Sequence, residues 1–485
     1  MAGISKTGNK ALHSIFWTYL AYYGGKSLVL ASTIILARLL GKDDFGVAAF
    51  ALTAMSFLEV AANMGVGPAL IFHRGEPRAA DTAFWLGMLL STALFAITWL
   101  MAPLFGLFFH DQRAVSVVRV LAFSFPITGL GSIHDALLRK DLQFKRKFFP
   151  DVARSVGKGV VSISLALAGF GVWSLIIGQL AGVALGTVVL WVVQPWRPSF
   201  RFAMNMSRAL LKYGVNIVAV DALGIILSNT DYLLVGRYLG AAALGVYTNA
   251  FRIPDMLIMQ FCSLIGRVVF PLYTKLREDP NALTRGFMMT TRYVALVTVP
   301  LSLGMLLVAR PLILIVFGAQ WEEAVPVLRA ISVYSMMLSL AYNAGDAYKA
   351  QGRPEILTRL SFARMLVLVP CLYWAAAHAK SIEMVGWAHA VIAFLFGLIT
   401  LVVASRLLHA PLRALAVALR PAILAGVTMS LAVMAVMTGL QHASNLVQLV
   451  SSVGAGGIVY TMTLLLLERP VVIQIAGILR KVPEK

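Results

Sequence analysis

Lys26 sits in the middle of an apolar run, after Tyr22-Tyr23-Gly24-Gly25, with no acid one helical turn away on the same run. A charge at bilayer depth costs roughly +2.5 to +3.5 kcal/mol on insertion scales, so such a residue calls for a function. Four other cations share that position: Arg154 and Lys158, spaced i,i+4 on one helical face, Arg252, and Arg364. Four acids join them: Glu59, with Asn63 one turn on, Asp221, Asp231 and Asp255, the last spaced i,i+3 from Arg252. Cations outnumber acids, which suits an anionic head group. Lys and Arg hold phosphate oxygens by charge-assisted hydrogen bonds, so a lipid-linked diphosphate fits this chemistry. The acids are candidates for carrying a coupling proton or Na⁺.

Each residue also has a plainer use. Arg154 and Lys158 can snorkel to the headgroups, and Arg252 with Asp255 can form a self-neutralising pair. Asp135 and Asp346 sit beside basic loops and can cap or pair there. Trp17, Tyr19, Tyr22 and Tyr23 can stack on sugar rings or anchor the interface.

Enzyme chemistry has no foothold. No Gly-x-x-x-x-Gly-Lys-Ser/Thr loop is present, and no His/Cys/acid cluster has metal-ligand spacing. Cys262 and Cys371 lie inside apolar runs, and the histidines are scattered. The expectation is therefore a non-enzyme with no catalytic residues, no resident metal and no cofactor.

The elements that position these residues must be membrane helices. Of 485 residues 59% are hydrophobic and 13% charged, and the mean hydropathy is +0.83. A soluble chain carries roughly 25% charged residues. Apolar stretches recur from near residue 12 to residue 467 and divide into about fourteen spans. They include 12–36, 44–70, 149–169, 207–236, 244–272, 284–317, 324–349 and 355–378, with 412–440 and 445–467 last. The net charge of +20 falls in short clusters between spans, such as "RKDLQFKRKF" and "QPWRPSFRF". That distribution is a topology signal rather than a nucleic-acid surface. It places both termini in the cytoplasm and makes the chain a multi-pass membrane protein. Every external loop is short, which argues against a membrane glycan polymerase or ligase.

The chain also repeats itself. "RLLGKDDFGV" (Arg38 to Val47) returns as "RYLGAAALGV" (Arg237 to Val246). "PLFGLFF" at Pro103 returns as "PLILIVF" at Pro311, and "AVSVVR" at Ala114 as "AVPVLR" at Ala324. Asp135-Ala136 returns as Asp346-Ala347. An even number of spans per half makes a parallel repeat about an axis along the membrane normal. The predicted architecture is an all-α polytopic membrane protein with two six-helix lobes around a central cavity and two extra C-terminal helices. Its divisions are 1–200, 201–408 and 409–485.

Over roughly residues 10 to 410 the sequence resembles the polysaccharide-export, or oligosaccharide flippase, branch of the multidrug/oligosaccharidyl-lipid/polysaccharide exporter superfamily. The carrying stretches are "ILARLLGKDDFGVAAF", "LQFKRKFFPDVARSVGKGVVSISLALAGFGVWSL", "NTDYLLVGRYLGAAALGVYTNAFRIPD", "FPLYTKL" and "QGRPEILTRLSFAR". The resemblance implies alternating-access movement of undecaprenyl-diphosphate-linked oligosaccharide units for exopolysaccharide, capsule or O-antigen synthesis. It implies basic residues on the first and eighth helices, where this chain has Lys26 and Arg252, and a glycan polymerase and glycosyltransferases as partners. Membrane lipid is the other partner; nucleic acid is not one. The alternatives are a cation-coupled multidrug antiporter of the same superfamily and a lipid II flippase. The latter carries arginines on its first two helices, where this chain has Lys26 and Glu59. A passive scaffold for glycan assembly is the non-transport alternative.

Overall fold

The computed structural model describes residues 24–63, 79–141, 143–200 and 202–468, and among these every regular element is helical. Trp17, Tyr19, Tyr22, Tyr23 and the basic tail fall outside the described residues. Ten stretches among the described residues are long and apolar enough to cross a membrane. The surface agrees with lipid as solvent: Leu100, Val192 and Leu466 are 76%, 77% and 86% exposed. An all-α polytopic chain is borne out. The chain forms two compact units, Met1–Gly245 and Val246–Lys485.

The first unit holds α1 (residues 24–39), α2 (Lys42–Asn63), α3 (Ala79–Phe109), α4 (Arg113–Ala122), α5 (Ser124–Lys140), α6 (Phe144–Leu167) and α7 (Val172–Val193). It also takes most of α8 (Met204–Pro254). α4 and α5 follow one another as one membrane-length run. α8 is not one straight helix: Gly240 breaks it at φ 84°, ψ −177°, a conformation that only glycine takes without strain. The break separates the two spans expected at 207–236 and 244–272.

Small residues set the packing. In lipid, helices gain little from hydrophobic association and rely on close contact, which small side chains permit. Gly178, Gly182 and Gly186 stand every fourth residue on α7 and lie against α6. A Cβ on Gly178 would sit 1.9 Å from the Ser162 Oγ, and one on Gly182 would sit 2.6 Å from the Arg154 carbonyl oxygen.

The repeated Arg-x-Leu-Gly turns meet each other. A Cβ on Gly46 would fall 1.8 Å from the Ala241 carbonyl oxygen, and one on Gly245 would fall 2.2 Å from the Lys42 carbonyl oxygen. Gly46 and Gly245 occupy the same place in the two copies, as do Lys42 and Ala241. The contact is thus reciprocal: each copy's second glycine receives the other's backbone. In the first copy the Asp44 carboxylate, in the opening turn of α2, also accepts the Gly41 N–H at 3.2 Å, half of a capping box.

The second unit begins with the last turns of α8, from Val246, followed by a π-helical turn, Asp255–Met259. It continues through α9 (Gln260–Leu276), α10 (Pro280–Leu307), the short α11 (Ala309–Val316), α12 (Ala324–Ala350), α13 (Pro354–Ala377), α14 (Ile382–Leu407), α15 (Leu412–Gly439) and α16 (Asn445–Leu467). The run expected as one span over 284–317 divides at Val308, whose backbone leaves the helical region at φ −92°, ψ 19°. α10 starts where Asp279 accepts the N–H groups of Asn281 and Ala282 at 2.9 and 3.1 Å, with Pro280 following. α12 is the most buried span. It packs Leu340, Ala344 and Tyr348 against Phe287, Leu296, Val299 and Leu401. Its buried polar groups find partners in neighbouring helices: the Ser339 hydroxyl donates to Thr298 Oγ1 at 2.8 Å and the Tyr348 hydroxyl to the Thr400 carbonyl at 2.5 Å. The added C-terminal helices are tied in by Tyr460, whose hydroxyl donates to the Leu296 carbonyl at 2.7 Å.

Candidate functional site

In the first unit, three helices bring four of the expected residues together. α1 lies on α6 through small groups. A Cβ on Gly25 would be 3.1 Å from the Ser155 Oγ, and one on Gly159 would be 2.3 Å from the Ser32 Oγ. Lys26 therefore stands at the level of Arg154. Glu59, from α2, is exposed yet hemmed in by protein, and it interacts electrostatically with Arg154. Lys158 follows one turn along α6 and is half-buried, while Lys26 and Arg154 are exposed. The glycines of α7 make room for this pair. A Cβ on Gly186 would be 3.2 Å from the Arg154 Nε, and one on Gly182 would be 2.9 Å from the Lys158 Cβ. Three cations and one carboxylate are thus carried on neighbouring helices of one unit.

Other expected residues lie elsewhere. Asp231 is buried, at 3% exposure, in α8. The Asp221 side chain is outside the described residues. Arg252 is half-buried in the last turn of α8, just before the π-helical turn. Asp255 is exposed and accepts from the Gln260 amide at 3.3 Å. Single π-turns in otherwise α-helical runs often mark functional positions.

Arg364 lines a pocket of about 310 Å³ in the second unit, between α12, α13 and α14. Its guanidinium carbon stands 5.8 Å over the Tyr334 ring, and its Nε is buried without a hydrogen-bond partner among the described residues. Asp346, Lys349, Tyr342, Ser361 and Thr400 line the same pocket. Sequence reasoning placed Asp346 as a capping or pairing group and missed that it shares a pocket with Arg364. The signal was available: Asp346 repeats Asp135, and Arg364 repeats Arg154 in the stretches "VARS" and "FARM".

The arrangement offers charge and hydrogen bonds at membrane depth. Among the described residues no three His, Cys, Asp or Glu side chains could hold a metal ion. A polytopic helical chain with cationic groups set into its spans has the features expected of a membrane transporter. The comparisons agree: the chain belongs to the family of polysaccharide biosynthesis proteins, which it matches over residues 35–326. It is 26% identical over 472 residues to the succinoglycan biosynthesis transport protein ExoT of Rhizobium meliloti (strain 1021), covering 94% of this chain and 93% of that one. It is 27% identical over 351 residues to the teichuronic acid biosynthesis protein TuaB of Bacillus subtilis (strain 168), covering 70% and 72%. The fold is similar to that of the lipid II flippase MurJ in its inward closed conformation. There the TM-score is 0.78 at 14% identity, over 94% of this chain and 99% of that one.

Proposed function

We propose that the chain is a flippase that carries undecaprenyl-diphosphate-linked oligosaccharide units across the bacterial inner membrane by alternating access. The observation that carries this reading is the charge group on α1, α2 and α6, where Lys26, Arg154 and Lys158 outnumber Glu59. A diphosphate brought there exchanges water for charge-assisted hydrogen bonds in a low-dielectric setting, where such bonds are strongest. Glu59 tempers the site: too much positive charge would hold the cargo, and conduction through a membrane requires release as well as binding. Arg252 supplies a further cation for the head group. The prenyl tail stays in lipid while the sugar crosses through the protein.

Coupling falls to the membrane acids. Glu59 is the leading group for a proton or Na⁺, because it lies beside Arg154, and a carboxylate neutralised by an ion would change the field at the phosphate. Asp221, Asp231 and Asp255 are the other acids for that role. Both termini lie in the cytoplasm, where glycosyltransferases build the cargo, and a glycan polymerase receives it outside.

The test is a flipping assay in vesicles with a defined polyprenyl-diphosphate oligosaccharide. Lys26→Ala and Arg154→Ala should each lower the initial rate about tenfold or more, the scale of one charge-assisted bond of 1.5–3 kcal/mol, with wild-type amounts inserted. Wild-type rates in both variants would remove this charge group from the path. Transport of cationic drugs with no movement of the glycan lipid would replace this reading by a drug antiporter.

A further inference from the structure

The pocket of the second unit becomes informative beside its counterpart in the first. In the first unit the Lys147 ammonium bridges Asp135 Oδ1 at 2.5 Å and Asp151 Oδ1 at 3.1 Å, and Arg139 pairs with the other Asp135 oxygen. That aspartate is clamped on both sides. In the second unit the repeat substitutes the clamp away. The residue four after Asp346 is Ala350, where four after Asp135 stands Arg139. Aligning Arg154 with Arg364 puts Leu357 at the place of Lys147 and Ser361 at the place of Asp151. Leu357 and Ser361 both line the pocket. A packed ion-pair network in one unit is thus an open, lined cavity in the other.

What remains there is chemically complementary. Asp346 is 8% exposed; one carboxylate oxygen has Lys349 at 3.4 Å, and the other is buried with no hydrogen-bond partner among the described residues. Arg364 lines the same pocket from α13, with its Nε buried. A pocket lined by a carboxylate and a guanidinium offers a ligand both acceptor and donor groups. The charges narrow the class. A free cation meets Lys349 and Arg364, and a free anion meets Asp346. A neutral polyol supplies both a donor for Asp346 and an acceptor for Arg364. Tyr342 and Phe396 give the lining apolar faces suited to a sugar ring. The volume is at the low end of small-ligand sites, roughly 300–1,000 Å³, which fits a single sugar ring and little more.

We propose that this pocket is a saccharide subsite, in which hydroxyls of one sugar residue donate to Asp346 and accept from Arg364. The inference rests on the flippase reading for its source of sugar, and it assigns the pocket a part in selecting the glycan rather than the phosphate.

The test is saturation-transfer NMR on the full chain in nanodiscs, with methyl glycosides of a neutral hexose, an N-acetylhexosamine and a hexuronic acid. At least one should bind. Asp346→Asn and Arg364→Gln should each weaken it about tenfold or more, the effect of one hydrogen bond to a charged group, with unchanged thermal unfolding. If Asp346→Asn does not fold, Ser361→Tyr, which fills the pocket, takes its place and should abolish binding. No glycoside binding tighter than about 100 mM, binding unmoved by the substitutions, or displacement by inorganic pyrophosphate more readily than by any glycoside would each overturn the proposal. The vesicle assay separates the two readings. Glycoside binding that maps to Asp346 and Arg364 in a wild-type chain that flips no glycan lipid leaves the pocket and removes the flippase. Flipping with no glycoside site does the reverse.

Discussion

Replacing Gly46 with Ala tests whether the reciprocal turn contact holds the first unit together. The added methyl would lie 1.8 Å from the Ala241 carbonyl oxygen, and real Cβ atoms essentially never come within 3.0 Å of a neighbour. The obstacle is backbone, so no side chain can swing aside. The two turns must separate by about 1.2 Å, the difference between those distances. A radial gap of 0.5–1 Å already forfeits roughly a quarter to a half of each dispersion contact, so the whole crossing loosens. Overpacking costs about 1–3 kcal/mol where side chains can adjust, and this site belongs at the upper end or beyond. At roughly 2–4 °C per kcal/mol for a unit of this size, the thermal midpoint of purified protein should fall by several degrees. Gly457→Ala is the control, because a Cβ there meets nothing within 4 Å; in a helix interior it should be neutral or stabilising by about 0.5–1 kcal/mol. Equal midpoints for wild type and Gly46→Ala would refute the close approach of the turns.

Three further outcomes follow from local geometry. Tyr460→Phe removes the hydroxyl that donates to the Leu296 carbonyl and should cost about 1 kcal/mol of thermal stability; a neutral result would detach α16 from α10. Gly182→Ala would push a methyl to 2.6 Å from the Arg154 carbonyl oxygen and 2.9 Å from the Lys158 Cβ, so it should lower the rate of glycan-lipid flipping as well as stability. A flipping rate equal to wild type would show that the seating of Arg154 and Lys158 is immaterial. Asp111, between α3 and α4, governs an acid response. Burial pushes its carboxyl up, but hydrogen bonds from the Arg113 side chain and backbone outweigh that and hold it below its ordinary value. Its stabilisation is therefore complete above the usual carboxylate range and is lost as pH falls through the lowered value. The midpoints of wild type and Asp111→Asn should differ at pH 7 and converge below about pH 4; a constant gap would exclude the mechanism.

The spans were legible because lipid imposes length and apolarity on each one directly. α13, read as 355–378, is Pro354–Ala377, and the last two helices agree as closely. The break at Val308 was not legible, since the run stays apolar through it and only the backbone angles change. Candidate residues could be listed from charge at membrane depth, but their grouping could not. Lys26, Glu59 and Arg154 are far apart in the chain and meet through Gly25, Ser155 and the α7 glycines, whose partners no helical period reveals. Asp346 could be paired with Asp135 by position. Its surroundings differ because the clamping residues come from the next helix, where Lys147 and Asp151 give way to Leu357 and Ser361.

The two kinds of repeated feature have fared differently, and packing supplies a reason. The ion-pair clamp around Asp135 is completed within its own unit, by Arg139 and Lys147, so nothing in that contact requires a second copy. The copy around Asp346 was free to lose it. The glycine turns have no such freedom, because each is the surface on which the other rests: Gly46 receives Ala241, and Gly245 receives Lys42. A side chain on either glycine opens the same crossing. Gly46→Ala and Gly245→Ala should therefore be strongly non-additive. Once one methyl has forced the turns apart by about 1.2 Å, the 0.8 Å that Gly245→Ala needs, from 2.2 to 3.0 Å, is already present. The double variant should unfold close to the midpoint of Gly46→Ala alone, and a fall equal to the sum of the two single shifts would show that the glycines act at separate contacts.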